Sequence, residues 1–287
     1  MSYRTILVHV DDSTHAPSRI ALAARIARVS EGSHLVGAAM TGVSRFVYGD
    51  ALPQSRRDAM LPFVDQQVEL LARQAQDSLD RFEEIVRGGD VSYEPRLVND
   101  DVIGGLALHA PYCDVIVLGQ YDSDDPASMP YGDLPESVAM ASGCPVLVVP
   151  HARAANAGAQ GFLDNVLVAW DASIEATRAV HQALPLLKAA RQIQVAVFNA
   201  QGNEDARGVD PGVDIALFLA RHGIRVEVVQ RRAGGDIGEA LIGLAAERGS
   251  SMMVMGCYGH SRFREILLGG ATRTVLRDMR IPVLMAH

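Results

Sequence analysis

The chain has 287 residues, 48% hydrophobic and 21% charged, with 34 acidic against 26 basic side chains and a net charge of −8. That length holds one large or two ordinary domains, each able to bury a core. The acidic balance and the lack of a Lys/Arg-rich tract argue against nucleic acid or an anionic membrane as partner. No run nears the about 18 apolar residues of a membrane span, and the apolar stretch Ile6 to Val10 is too short for a signal peptide. A cytoplasmic location is therefore expected.

Short β-branched runs alternate with longer helical patterns, which predicts βαβ units and a parallel sheet. In the first half, strands are predicted at Thr5 to Val10, His34 to Ala39, Ser92 to Val98, Asp114 to Leu118 and Pro145 to Val149, and helices near 15–30, 62–87, 100–110 and 133–142. The segment Thr41 to Pro62, with its Gly, Pro, Tyr and Arg, reads as a surface excursion or else as a partner-binding or lid segment. The second half repeats the order, with strands near 165–170, 193–198, 224–230, 251–255 and 282–286, and helices near 175–190, 209–222, 236–248 and 269–279. In each half Asp-x-Ser ends the first strand and is positioned to cap the following helix.

The repeat is visible residue by residue. Ile6-Leu-Val-His-Val-Asp11-Asp-Ser13 matches Val166-Leu-Val-Ala-Trp-Asp171-Ala-Ser173, and from Gly119 to Val149 the halves align without a gap at an offset of 137. Gly119 falls on Gly256, Tyr121 on Tyr258, Gly132 on Gly269 and Pro145 on Pro282. The expected domains are 1–150 and 162–287, joined by a small-residue linker at 151–161.

Three cysteines, Cys113, Cys144 and Cys257, lack CxxC spacing, and the nine histidines form no HxxxH pattern, so neither disulfides nor a structural metal is expected. The chemistry concentrates instead behind the apolar run Met252 to Met255. There Gly256-Cys-Tyr-Gly259 and then Gly269-Gly270-Ala271-Thr272 form a glycine loop between a strand end and a helix start, which can aim backbone amides at phosphate. No GxxxxGK[ST] loop is present.

VAWDAS, then MGCYGHSRFREILLGGATRTVL, then a short Pro-led last strand, together resemble the universal stress protein family in its tandem form, over nearly the whole chain. The most specific element is the family's ATP loop, G-x2-G-x9-G-[S/T], matched by Gly256, Gly259 and Gly269. The resemblance implies two tandem five-stranded parallel-sheet α/β sandwich domains, Rossmann-like and adenine nucleotide alpha hydrolase-like. ATP would lie at the carboxyl ends of the strands, and the two domains would pair within one chain, with further homodimerisation left open.

By this resemblance Asp171 would hold the adenine or ribose, with Ala169 and Met255 against the base. Gly256 and Gly259 would admit the ribose and phosphates, and His260, Ser261 and Arg262 would supply donors and positive charge. Gly269, Gly270, Ala271 and Thr272 would present amides to the terminal phosphates. Gly270 stands where the family has Ser or Thr, which removes one hydroxyl that Thr272 could partly replace. The first half has Asp122 and Asp133 in place of Gly259 and Gly270, and Asp124 and Asp125 nearby, so its loop is expected to be a solvated acidic surface that repels phosphate.

The function expected is that of a cytoplasmic stress-response protein that binds ATP, with or without Mg2+, in its C-terminal domain as a regulatory switch toward a protein partner. Two alternatives stand beside it. One is a nucleotide-free scaffold or carrier of an apolar metabolite; the other is a weak ATPase or self-phosphorylating switch with Ser261 or Thr272 as acceptor. No residue stands out as a catalytic base, so a dedicated enzyme is not expected.

Overall fold

The computed structural model describes residues 2–42, 54–127, 132–151, 161–199, 211–259 and 270–287. By packing, the chain forms two compact units, Ser2–Ser142 and Gly143–His287. The first carries β1 (Thr5–His9), α1 (Ala16–Val29), β2 (His34–Met40), α2 (Gln54–Val86), β3 (Ser92–Val98), α3 (Val102–His109), β4 (Val115–Gly119) and α4 (Leu134–Ser142). Its strands lie in the order β3-β2-β1-β4, all parallel. The central strands are near-continuous apolar runs because helices cover both faces of such a sheet; Ile6, Val8, Val115 and Val117 are fully buried.

The second unit carries β5 (Val146–Val149), β6 (Asn165–Ala169), α5 (Ile174–Ala189), β7 (Gln192–Phe198), α6 (Pro211–Arg221), β8 (Glu227–Arg231), α7 (Ile237–Glu247), β9 (Met252–Gly256), α8 (Ala271–Asp278) and β10 (Val283–Ala286). Its order is β5-β10-β9-β6-β7-β8. All neighbours are parallel except β5, which pairs antiparallel to β10 with Leu147 opposite Leu284. The repeat groups β5 with the first half, but its packing lies with the second unit, through Val146, Leu147 and Val148 against β10.

Two local expectations are corrected. Helix α2 begins at Gln54, so the end of the 41–62 excursion is helical and the helix runs through Pro62. Residues 43–53, and with them most of that excursion, lie outside the described residues, as do 152–160 of the linker. In the first half Ser13 does not cap α1: the cap position is His15, with no side-chain hydrogen bond, and Pro17 stands in the first turn. In the second half the expectation holds, for Ser173 Oγ accepts the Ala176 amide at 3.0 Å at the start of α5.

Candidate functional site

In the second unit β6 is flanked by β7 on one side and β9 on the other, so successive connections leave it in opposite directions. A crevice opens beyond the carboxyl ends of the strands at such a reversal. Here it is a cleft of about 340 Å³, the size range of small-molecule sites. Its walls come from the ends of β6 (Ala169, Trp170, Asp171), β7 (Ala196, Phe198, Asn199) and β9 (Met255, Gly256), from the start of α5 (Ser173, Glu175, Ala176) and from the loop at Tyr258 and Gly259. Ile237 and Leu241 of α7, with Ala271 and Thr272 of α8, complete it.

Backbone strain collects at the same place. Among the described residues the non-glycine residues in the left-handed region are Ala172 (φ 60°), Asn199 (φ 55°) and Tyr258 (φ 56°), one at the end of each of β6, β7 and β9. Such conformations cost free energy and concentrate at ligand sites. Local hydrogen bonds hold them. The Ser173 amide donates to Asp171 Oδ1 at 2.9 Å across Ala172, the Asn199 side chain exchanges hydrogen bonds with the backbone of Ala233, and the Tyr258 amide points to Thr272 Oγ1 at 3.4 Å.

Two of the helix termini at the cleft, the starts of α7 and α8, are tied by one residue. Asp236 caps α7 by accepting the Glu239 amide at 3.0 Å, and its other oxygen takes the Thr274 hydroxyl of α8 at 3.1 Å. Helix α8 starts at Gly270, whose carbonyl accepts the amides of Arg273 and Thr274. The amides of Ala271 and Thr272 precede these in the first turn, where an α-helix has no internal acceptors to offer.

Of the residues singled out from sequence, the structure brings Ala169, Asp171, Met255, Gly256, Gly259, Ala271 and Thr272 together in the cleft wall, with Gly270 as the adjoining helix cap. His260, Ser261, Arg262 and Gly269 lie outside the described residues. One glycine acquires a different reason. A Cβ on Gly256 would lie 2.5 Å from the Ala176 nitrogen and 2.6 Å from the Glu175 carbonyl carbon, so this glycine is demanded by the approach of α5 to the end of β9. The Thr272 hydroxyl oxygen accepts the Tyr258 amide at 3.4 Å, which orients the hydroxyl while leaving its own proton to donate. Trp170, Glu175, Phe198, Asn199 and Asp236 escaped the sequence reading because nothing in their local pattern separates them from core, cap or surface residues.

The matching place in the first unit retains only about 30 Å³, room for one or two waters. Its own side chains fill it. Arg19, buried on α1, donates from Nε to the His9 carbonyl at 2.8 Å and from Nη2 to Asp11 Oδ1 at 2.7 Å, and its Nη1 lies 2.5 Å from where a Cβ on Gly119 would sit. Asp125 is buried and accepts the Thr14 amide at 2.8 Å, while Asp122 pairs with His15 Nε2 at 3.1 Å. The expected solvated acidic loop is thus corrected: two of its carboxylates turn inward, because a free backbone amide and an imidazole offer them partners at the start of α1.

Burial pushes the His9 imidazole down to about 4, with Arg19 adding to the effect and Asp11 opposing it. Burial alone would raise the Asp11 carboxyl, but the charges of Arg19 and His9 and the hydrogen bonds from Ser13 and Arg19 outweigh it and hold the group well below the usual carboxylate range.

Fold and cleft together define an α/β protein with a ligand-sized crevice at a strand-order reversal. Residues 163–287 match the universal stress protein family model, so this part of the chain is similar to that family. A curated relative, universal stress protein Slr1230 of Synechocystis, is 30% identical over 82 residues, spanning 29% of this chain and 28% of that protein. The match therefore covers little more than a quarter of the relative's length.

Among solved structures, a universal stress protein from Archaeoglobus fulgidus DSM 4304 matches 98% of this chain and 95% of its own, at 18% identity and a TM-score of 0.72, which establishes the fold. A second Archaeoglobus fulgidus universal stress protein, in complex with dAMP, matches 52% of this chain and 98% of its own, at 18% identity and a TM-score of 0.34. No helix among the described residues is long and apolar enough to cross a membrane.

Proposed function

We propose that the chain binds ATP in the cleft of its second unit, one nucleotide per chain, and that occupancy acts as a regulatory switch toward a protein partner in a cytoplasmic stress response. The observation that carries this reading is the inequality of two matching clefts: about 340 Å³ lined by strained strand ends in the second unit, about 30 Å³ filled by side chains in the first. The apolar wall of Trp170, Phe198, Ile237, Leu241 and Met255 suits the faces of a purine. Asp171, with Oδ1 on the Ser173 amide, has Oδ2 to accept a ribose or adenine proton. The amides of Ala271 and Thr272 and the positive end of α8 suit phosphate, each amide contributing roughly 1.5–3 kcal/mol toward a charged oxygen.

Isothermal titration of the full chain with ATP tests the reading. The expected result is a single site, lost in Gly259→Asp; no heat of binding in the wild type removes it. The apolar wall also favours a second reading, an apolar metabolite held in the same cleft. That occupant would compete with ATP and would remain in Gly259→Asp, whose change lies at the phosphate end.

A further inference from the structure

The two units exchange charge at matched positions. His15 and Glu175 are equivalent, each four residues past the aspartate that ends the first strand of its half, and Asp122 and Gly259 are equivalent in the later loop. In the first unit the loop carries the carboxylate and the helix start carries a group that can be positive, 3.1 Å apart. In the second unit the helix start carries the carboxylate and the loop presents a glycine. Glu175 Oε2 lies 2.7 Å from the place a Cβ on Gly259 would occupy, is buried, and has no hydrogen-bond partner among the described residues.

A carboxylate oxygen desolvated in this way needs a positive partner. At the phosphate end of a nucleotide cleft it would also repel a free polyanion. Both problems vanish if the ligand brings the positive charge. A hard divalent cation does so, because Mg2+ keeps most of its waters and is commonly held by one or two carboxylates together with phosphate oxygens. Glu175 is one wall of the cleft that also presents Asp171, Ala271 and Thr272.

We infer that Glu175 is the protein ligand, direct or through one water, of a divalent cation carried on the phosphates, so that the cleft selects the magnesium complex of the nucleotide over the free nucleotide. The inference rests on the nucleotide reading above and adds a residue and a form of ligand to it. Gly259 leaves space beside Glu175 that any side chain would take.

Calorimetric titration of the full chain with ATP, in excess Mg2+ and in EDTA, tests it on wild type, Glu175→Gln and Glu175→Asp. Wild type is expected to bind at least about tenfold more tightly with Mg2+. In Glu175→Gln the ratio should collapse to within about threefold, with affinity in EDTA raised, since the near-isosteric amide removes the charge. Glu175→Asp, which keeps the carboxylate, should retain part of the preference and serves as the control for folding. Equal affinity in the two buffers for wild type, or an undiminished ratio in Glu175→Gln, overturns the inference and leaves ATP binding standing. Absence of binding in both buffers overturns both.

Discussion

A methyl group on residue 256 would press on the backbone of α5, whereas one on residue 259 would meet only the end of the Glu175 side chain. The two glycines of one motif therefore answer to different physics. Gly256→Ala is expected to destabilise the second unit by about 1–3 kcal/mol, as overpacking against backbone does, and Gly259→Ala by less; urea unfolding of the two variants measures the difference. A second residue-scale prediction concerns His9. It is neutral and buried, with a folded pKa of about 4 against 6.5 unfolded, so the unfolded chain binds a proton between those values that the native unit does not. Its contribution is fully present above pH 6.5 and declines as pH falls toward 4, by about 3 kcal/mol in all. His9→Gln should flatten the stability profile of the first unit across that window, and denaturation at pH 7 and pH 5 reads the effect. Asp11, held below its ordinary range, adds a further loss only at lower pH. At this scale the sequence was half legible. The glycine spacing and Asp171 could be read directly, but not the left-handed Ala172 and Tyr258, whose residue types carry no mark of that conformation; Asn199 is of a type that tolerates it, yet nothing in its local pattern singled it out.

Elements were the most legible level, since the central strands are buried apolar runs and the longer helices amphipathic, patterns that a single sequence preserves. What failed were caps and termini. Ser13 and Ser173 share a motif, yet only Ser173 caps a helix, because His15-Ala16-Pro17 delays the start of α1. Asp236 shows how a cap can serve two elements, closing α7 and tethering α8 through Thr274. In the first unit Asp101 caps α3 by accepting the Gly104 amide at 2.8 Å. Asp236→Ala and Asp101→Ala should each cost about 1–2 kcal/mol of stability. On the proposed nucleotide reading only Asp236→Ala should also weaken ATP binding, because it frees the start of α8, whose first-turn amides are the ones proposed to meet phosphate. Equal ATP affinity in the two variants, measured beside their unfolding curves, would separate the tether from the site.

At the scale of the whole molecule the chain carries one βαβ plan twice and spends it differently. From the sequence, the first unit was expected to exclude ATP through repulsion by acidic side chains. The structure gives a separate cause for the small size of its cleft: Arg19, Asp122 and Asp125 occupy the space, each with a partner inside the unit. That cause was hidden because the partners lie far apart in the chain, His15 with Asp122 and Thr14 with Asp125, and only folding brings them together. Repulsion and occupation make different predictions for a transplant. Gly259→Asp alone places a second carboxylate beside Glu175, and should abolish ATP binding while lowering the stability of the second unit. Glu175→His with Gly259→Asp rebuilds the first unit's pair, imidazole on the helix and carboxylate on the loop. It should abolish ATP binding equally but restore stability toward wild type, since the two introduced groups satisfy one another. Hydrogen exchange reads both halves at once: saturating ATP should protect peptides from 163–287 in the wild type by about 2.7 kcal/mol at a hundredfold excess over Kd, leave peptides from 2–142 unchanged, and protect neither half of the double variant. A double variant no more stable than Gly259→Asp would show that the pair does not close a cleft by itself, and would leave Arg19 as the residue that fills the first.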